Sequence, residues 1–232
     1  MGAALGHPDA GALAPAGCEP EPWLLQARAF ASEGRLAEAS GAVSRAASCG
    51  ADPTRVAIAR ALTTAGPGRH DALVEAVQRA PQHAGVRLAL ARTLAECGAV
   101  ADAREHAALG LAAVGHPQPD DVLFVASIQA DPAAALAVLE DGLRRGGPSP
   151  AVREAAARAE VALGSLEAAL ARVDGLDPHA AALRARLTAL AGDARARAAY
   201  DRALLAVQGA PRQTPAMRAL ADVLGAEREA LP

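Results

Sequence analysis

The chain of 232 residues contains no lysine and no asparagine, and all 23 of its basic residues are arginine. Without lysine there is no Schiff-base chemistry and no phosphate-loop lysine. There are only four aromatic residues, Trp23, Phe30, Phe124 and Tyr200. Four rings cannot build a stacking platform for single-stranded nucleic acid. The shortage of aromatic and β-branched residues also removes the usual material of a sheet. A formal net charge of -3 argues against a protein that coats a polyanion. No apolar run approaches the roughly 18 residues of a membrane span, and Val122–Ile128 is among the longest. Neither nucleic acid nor membrane is therefore an expected partner. Residues 1–20 hold no arginine and no compact hydrophobic block, which argues against a secretory signal. Cys18, Cys49 and Cys97 are odd in number and widely spaced. That pattern predicts reduced thiols and a cytoplasmic protein.

What the sequence has in excess is alanine, 66 residues of it, with leucine, arginine and glutamate behind. These residues lose little side-chain freedom in a helix, so the composition predicts an all-α fold. The missing lysine and asparagine suggest a GC-rich genome, with no bearing on function. Residues 1–19 lack any helical stripe and read as a flexible tail. Beyond them, proline recurs at Pro53, Pro81, Pro117, Pro148, Pro150, Pro178 and Pro211. Proline inside a helix removes a hydrogen bond and clashes with the preceding turn, so the chain is a series of short helices.

The cuts are regular enough to search for a repeat. An Ala-Arg pair followed by five residues and a glycine begins at Ala27, Ala59, Ala91, Ala157 and Ala185. The first three copies start 32 residues apart, and the next step of 32 lands on a degenerate copy, Leu123-Phe124 to Ala130. Steps of 34 and 28 reach the last two. Each copy reads as a hairpin whose first helix closes at Gly34, Gly66, Gly98, Gly164 or Gly192. The second helices are predicted at roughly Leu36–Cys49, Ala72–Ala80, Val100–Ala113, Pro132–Arg145, Ser165–Val173 and Ala194–Val207. Ala27 with Ala39, Ala91 with Ala103 and Ala157 with Ala169 are small enough to bring paired helices close together. Thr214 and Pro215 open a last helix, predicted to run to about Leu224 and to cover the final apolar face.

This pattern resembles the tetratricopeptide repeat, in which Trp, Leu, Gly and Tyr sit at fixed helical spacing, followed by Ala, an aromatic residue and Pro. In the first copy Trp23, Ala27 and Phe30 take the Trp, Gly and Tyr places, and Gln26 stands where Leu is usual. Gly34, Ala39, Val43 and Pro53 complete the unit. Leu90, Ala91, Leu94, Gly98, Ala103 and Pro117 match in the third copy, and Tyr200 and Ala203 fall within one residue of place in the last. The departures are the uneven spacing, a Gly-Pro-Gly insertion at Gly66–Gly68, and the missing Ala-Arg pair of the fourth copy. The resemblance implies a right-handed α-solenoid of about six helix-turn-helix repeats over residues 20–211. A capping helix and tail over 212–232 would follow.

In such solenoids the first helices line a concave groove, and the place after the small residue looks into it. By resemblance, Arg28, Arg60, Arg92, Arg158 and Arg186 form a ladder there, interrupted by Phe124. Arginine clamps carboxylates with paired hydrogen bonds, and Phe124 adds one apolar anchor. The ladder thus marks a groove for a protein or peptide partner, with an acidic segment as the candidate. Against this stands the simpler reading of a solvated helix face, neutralised by Glu96, Glu154 or Glu160 one turn away. Trp23, Phe30 and Tyr200 are read as core. His7, His70, His83, His106, His116 and His179 show no zinc spacing with cysteine or one another. A Cys97–His106 pair across a hairpin lacks the orienting third group that a nucleophile needs. Asp120-Asp121 suits a helix N-terminus. No cofactor, metal site or catalytic residue is expected. The function implied is a non-catalytic protein-binding scaffold or adaptor. The alternatives are an enzyme or accessory subunit of a biosynthetic pathway that holds a substrate or carrier peptide, and self-association as a homodimer.

Overall fold

Five helices of the computed structural model begin with the same two-residue device, a capping side chain followed by proline. Asp52-Pro53, Asp131-Pro132, Ser149-Pro150, Asp177-Pro178 and Thr214-Pro215 each place a side-chain oxygen where it accepts from a backbone N–H two or three residues on. The cap satisfies an N–H that has no partner inside the helix, and the proline ring is already set near the helical φ. Each of these prolines thus starts a helix.

The structure describes residues 18–173, 177–210 and 214–231, and among them thirteen α-helices and no strand. They are α1 (Pro20–Ser32), α2 (Leu36–Ser48), α3 (Pro53–Thr63), α4 (Gly68–Arg79), α5 (Ala84–Glu96), α6 (Val100–Ala112), α7 (Pro119–Ser127), α8 (Pro132–Gly146), α9 (Pro150–Ala162), α10 (Leu166–Arg172), α11 (Pro178–Leu190), α12 (Ala196–Gln208) and α13 (Pro215–Glu229). Most of the expected flexible tail, residues 1–17, lies outside the described residues. No described helix is long and apolar enough to cross a membrane.

The chain divides into two compact units, Met1–Val114 and Gly115–Pro232. In the first, α1–α6 pair as three hairpins, α1 with α2, α3 with α4 and α5 with α6, stacked in chain order. In the second, α7 pairs with α8, α9 with α10 and α11 with α12, and α13 packs on α12. Each unit is an all-α helical repeat.

The turns show why the repeat glycines are glycines. At the end of α1, Gly34 N–H donates to the Ala31 carbonyl (3.1 Å) and Arg35 N–H to the Phe30 carbonyl (2.9 Å). That double closure needs a residue in the left-handed region, and Gly34 has φ 75°. The same pair of bonds closes α5, α9 and α11. The hairpin of α3 and α4 departs from it. The residue after Gly66 is Pro67, which has no N–H to donate, so α3 ends on the single bond from Thr64 N–H to the Arg60 carbonyl (2.9 Å).

The cores are built largely from alanine. Ala27, Ala39, Ala91, Ala103, Ala157 and Ala169 are all fully buried, as the predicted facing pairs require. Two glycines 32 residues apart bring helices closer still. A Cβ on Gly110 would stand 2.9 Å from Leu88 Cγ, and one on Gly142 only 2.3 Å from Val122 Cγ1. Trp23, Phe30 and Tyr200 are buried, as expected. Arg45 lies over the Trp23 ring at 4.7 Å and Arg35 over Phe30 at 4.3 Å.

The cysteine expectation is corrected. Cys18 and Cys49 form a disulfide, with their Cα atoms 5.0 Å apart, while Cys97 is a free, exposed thiol. Wide spacing along the chain argues for reduced thiols, but a separation of 31 residues is the length of one hairpin. Antiparallel pairing of α1 and α2 returns the end of α2 to the residue ahead of α1.

Candidate functional site

The five signature arginines lie on first helices: Arg28 on α1, Arg60 on α3, Arg92 on α5, Arg158 on α9 and Arg186 on α11. None is buried; Arg28, Arg60 and Arg158 are exposed, and Arg92 and Arg186 are half-buried. Phe124, on α7, is half-buried too. In four of the five copies the preceding alanine (Ala27, Ala91, Ala157 or Ala185) is fully buried, which fixes which side of the helix the arginine occupies. The exception is α3, where Ala57 and Ala61 are buried and Ala59 is only half-buried. There the signature begins six residues after the first residue of the helix, and in the other four copies seven. One residue on a helix is a turn of about 100°, so Arg60 is rotated away from the place of the other four.

The charges around the ladder differ between the units. In the first, Arg28 and Arg60 have no carboxylate partner among the described residues. In the second, Arg158 donates to Glu154 (2.6 Å) and Arg186 to Glu227 on α13 (3.0 Å). Tyr200 donates its hydroxyl to the same Glu227 carboxylate (3.3 Å). Burial, with the Glu227 charge beside it, pushes the Tyr200 phenol above its usual range. Of the three acids considered as neutralisers, Glu154 takes that part. Glu160 does not, because it is buried and bound to Arg172 (3.0 Å), which also reaches Glu140 (3.0 Å).

A cleft of about 350 Å3 opens beside Arg186 in the second unit. Its polar lining is Arg153, Glu154, Arg172, Asp177, His179 and Arg186. Most of these groups are already committed. Arg172 and Arg186 are held by glutamates, and Asp177 accepts from His179 N–H (2.8 Å) and Ala180 N–H (3.0 Å) as the cap of α11. Such a lining can grip backbone and carboxylate groups of a bound segment; it offers no activated nucleophile. Arg153, Arg172 and Asp177 were not singled out from the sequence. Arg172 and Glu160 are 12 residues apart on antiparallel helices, a spacing that one-helix periodicity does not reveal.

The histidines have local roles. His83 Nδ1 accepts from Val86 N–H (3.2 Å) and caps α5, and His116 Nδ1 lies 3.0 Å from the Arg145 carbonyl. His106 Nδ1 lies 3.3 Å from Arg87, and burial together with that guanidinium holds the imidazolium below its usual pKa. Cys97 is the C-cap residue of α5 and an exposed free thiol, while His106 is engaged with Arg87. Among the described residues no three His, Cys, Asp or Glu side chains gather around a common metal position. Asp120 and Asp121 sit in the first turn of α7, as expected.

No family model matches the chain, and no curated protein matches it. Solved structures do. PilW, described as a widely conserved type IV pilus biogenesis factor, is similar with a TM-score of 0.57 at 15% identity, over 84% of this chain and 96% of that one. PilF of Pseudomonas aeruginosa is similar with a TM-score of 0.55 at 14% identity, over 90% of this chain and 97% of that one. The Cut9–Hcn1 hetero-tetramer of the APC/C is similar with a TM-score of 0.51 at 15% identity, over 89% of this chain but only 43% of that one. At such identities the likeness is one of fold. Paired helices, glycine closures and small packing residues in repeat register agree with it: the chain has the all-α helical-repeat fold of tetratricopeptide-repeat proteins.

Proposed function

We propose that this protein is a non-catalytic scaffold or adaptor that holds an acidic segment of a partner protein along its first helices. The observation that carries the reading is the placement of Arg28, Arg92, Arg158 and Arg186, each directly after a fully buried alanine on a first helix. Within each unit, arginines held at one helical position offer two-pronged carboxylate clamps. In the first unit Arg28 is open to a partner's carboxylates, while Arg60 is turned off that place. In the second, a partner's carboxylates would exchange with Glu154 and Glu227. The exchange keeps each arginine paired in both states and lets the partner's sequence decide affinity. The similarity to a type IV pilus biogenesis factor and to the Cut9–Hcn1 hetero-tetramer supports a binding role without naming a partner. The cytoplasmic expectation rested on three reduced thiols, and the Cys18–Cys49 bridge favours an oxidising compartment instead.

The test is to recover the partner from the native host, identify it by mass spectrometry, and titrate it against the full chain. Replacing Arg28, Arg92 and Arg158 together by Gln is expected to weaken binding by about tenfold or more and to flatten its salt dependence. Unchanged affinity and an unchanged salt slope would overturn the arginine-groove reading.

A further inference from the structure

A second cleft, of about 630 Å3, lies in the second unit between α10, α11 and α12. Its lining from α10, Glu167, Leu170 and Ala171, runs along that helix, and Glu167 pairs with Arg195 at the start of α12 (3.1 Å). Alanine dominates the floor, with Ala181, Ala199, Ala203 and Ala206 among the lining residues.

Three arginines, Arg184, Arg195 and Arg202, border the cleft against one acid, Glu167. Arg195 is already held by Asp193 (2.8 Å) and Glu167. The other two have no carboxylate among the described residues. Arg184 donates one amino group to the Val173 carbonyl (2.7 Å), while its Nε is buried without an acceptor. Arg202 is exposed and makes one long bond, 3.3 Å, to the Ala198 carbonyl.

We propose that this cleft docks an acidic α-helix of a partner protein. The inference rests on the binding-scaffold reading and names a surface apart from the arginine ladder. The occupant is a helix because the alanine-rich lining admits a neighbouring helix axis near the short end of the usual 8–10 Å spacing. It is acidic because carboxylates one turn apart, at i and i+4, would meet Arg184 and Arg202, which lack them. A nucleic acid fits poorly, since Glu167 and Asp193 stand at one end and no aromatic side chain is among the lining residues for stacking.

The probe is a fluorescein-labelled 15-residue Ala/Leu peptide with Glu at i, i+4 and i+8 along one face, and a counterpart with Gln at those places. Both are titrated by anisotropy against the full chain. The Glu peptide is expected to bind at least about tenfold more tightly than the Gln peptide. Arg202→Glu, an exposed change, should weaken the Glu peptide by a similar factor, and Ala206→Trp should abolish binding by filling the trough. Circular dichroism checks that both variants keep the wild-type helix content. Failure of the Glu peptide to bind, or binding indifferent to Arg202→Glu and Ala206→Trp, overturns the proposal. Binding indifferent to Arg202→Glu but lost on replacing Arg28, Arg60 and Arg92 by Gln also overturns it, and leaves the arginine-groove function standing.

Discussion

Gly142 shows how little room single positions leave. Val122 Cγ1 occupies the space a β-carbon would need, at 2.3 Å, so any side chain forces α7 and α8 apart. Gly142→Ala is expected to destabilise the second unit by about 1–3 kcal/mol, the usual cost of overpacking, measured by urea unfolding. At Gly110 a Cβ would stand 2.9 Å from Leu88 Cγ and 3.2 Å from the Leu88 backbone nitrogen, so the same change should also cost stability there. His106 makes stability depend on pH near neutrality. Its folded pKa lies below the ordinary value of 6.5, because burial and Arg87 disfavour the charged ring. The unfolded chain therefore takes up the proton first. Stability is full above about pH 6.5 and falls as the pH drops from there through the folded value. Thermal unfolding between pH 7.5 and 5 should show this loss in the wild type, and His106→Gln should flatten it.

Caps and closures set where each helix starts and stops. Asp177→Ala removes the acceptor for two N–H groups at the start of α11 and should cost about 1 kcal/mol. Boundaries were legible wherever this local chemistry sets them. The second helix predicted at Leu36–Cys49 runs Leu36–Ser48, and that predicted at Val100–Ala113 runs Val100–Ala112. Reading stopped short at Ala72–Ala80, which begins at Gly68, because Gly-Pro-Gly looks like a loop although Pro67 is the N-cap residue. The rotation of Arg60 was hidden for a related reason. The spacing from signature to glycine is kept in α3, and only the spacing from the helix start is one residue short. Contacts between helices left no such trace. The ties of Arg172 to Glu160 and Glu140, and of Arg186 to Glu227, depend on how antiparallel neighbours meet, and no periodicity along one helix reports that.

For the whole molecule, the disulfide is a staple across the first hairpin. It ties the residue ahead of α1 to the end of α2, and α1 has no side-chain N-cap of its own. Reduction should therefore loosen α1 first. Closing a loop of this length is worth about 3.7 kcal/mol in the unfolded chain. Hydrogen exchange with and without a dithiol reductant is expected to show protection lost in α1 and α2 while α5 and α6 keep theirs. Equal loss in all four helices would mean that the hairpins unfold as one block.

The alanine-built cores reach beyond packing. A buried methyl removes little apolar surface from water, so unfolding exposes less per residue than in a core of leucine and phenylalanine. The heat-capacity change should then fall below the usual 12–15 cal/mol/K per residue, roughly. A small heat-capacity change flattens the curve of stability against temperature, and calorimetry would read it directly. Such a protein owes its useful range to the breadth of that curve more than to its height. It should yield as slowly to cold as to heat.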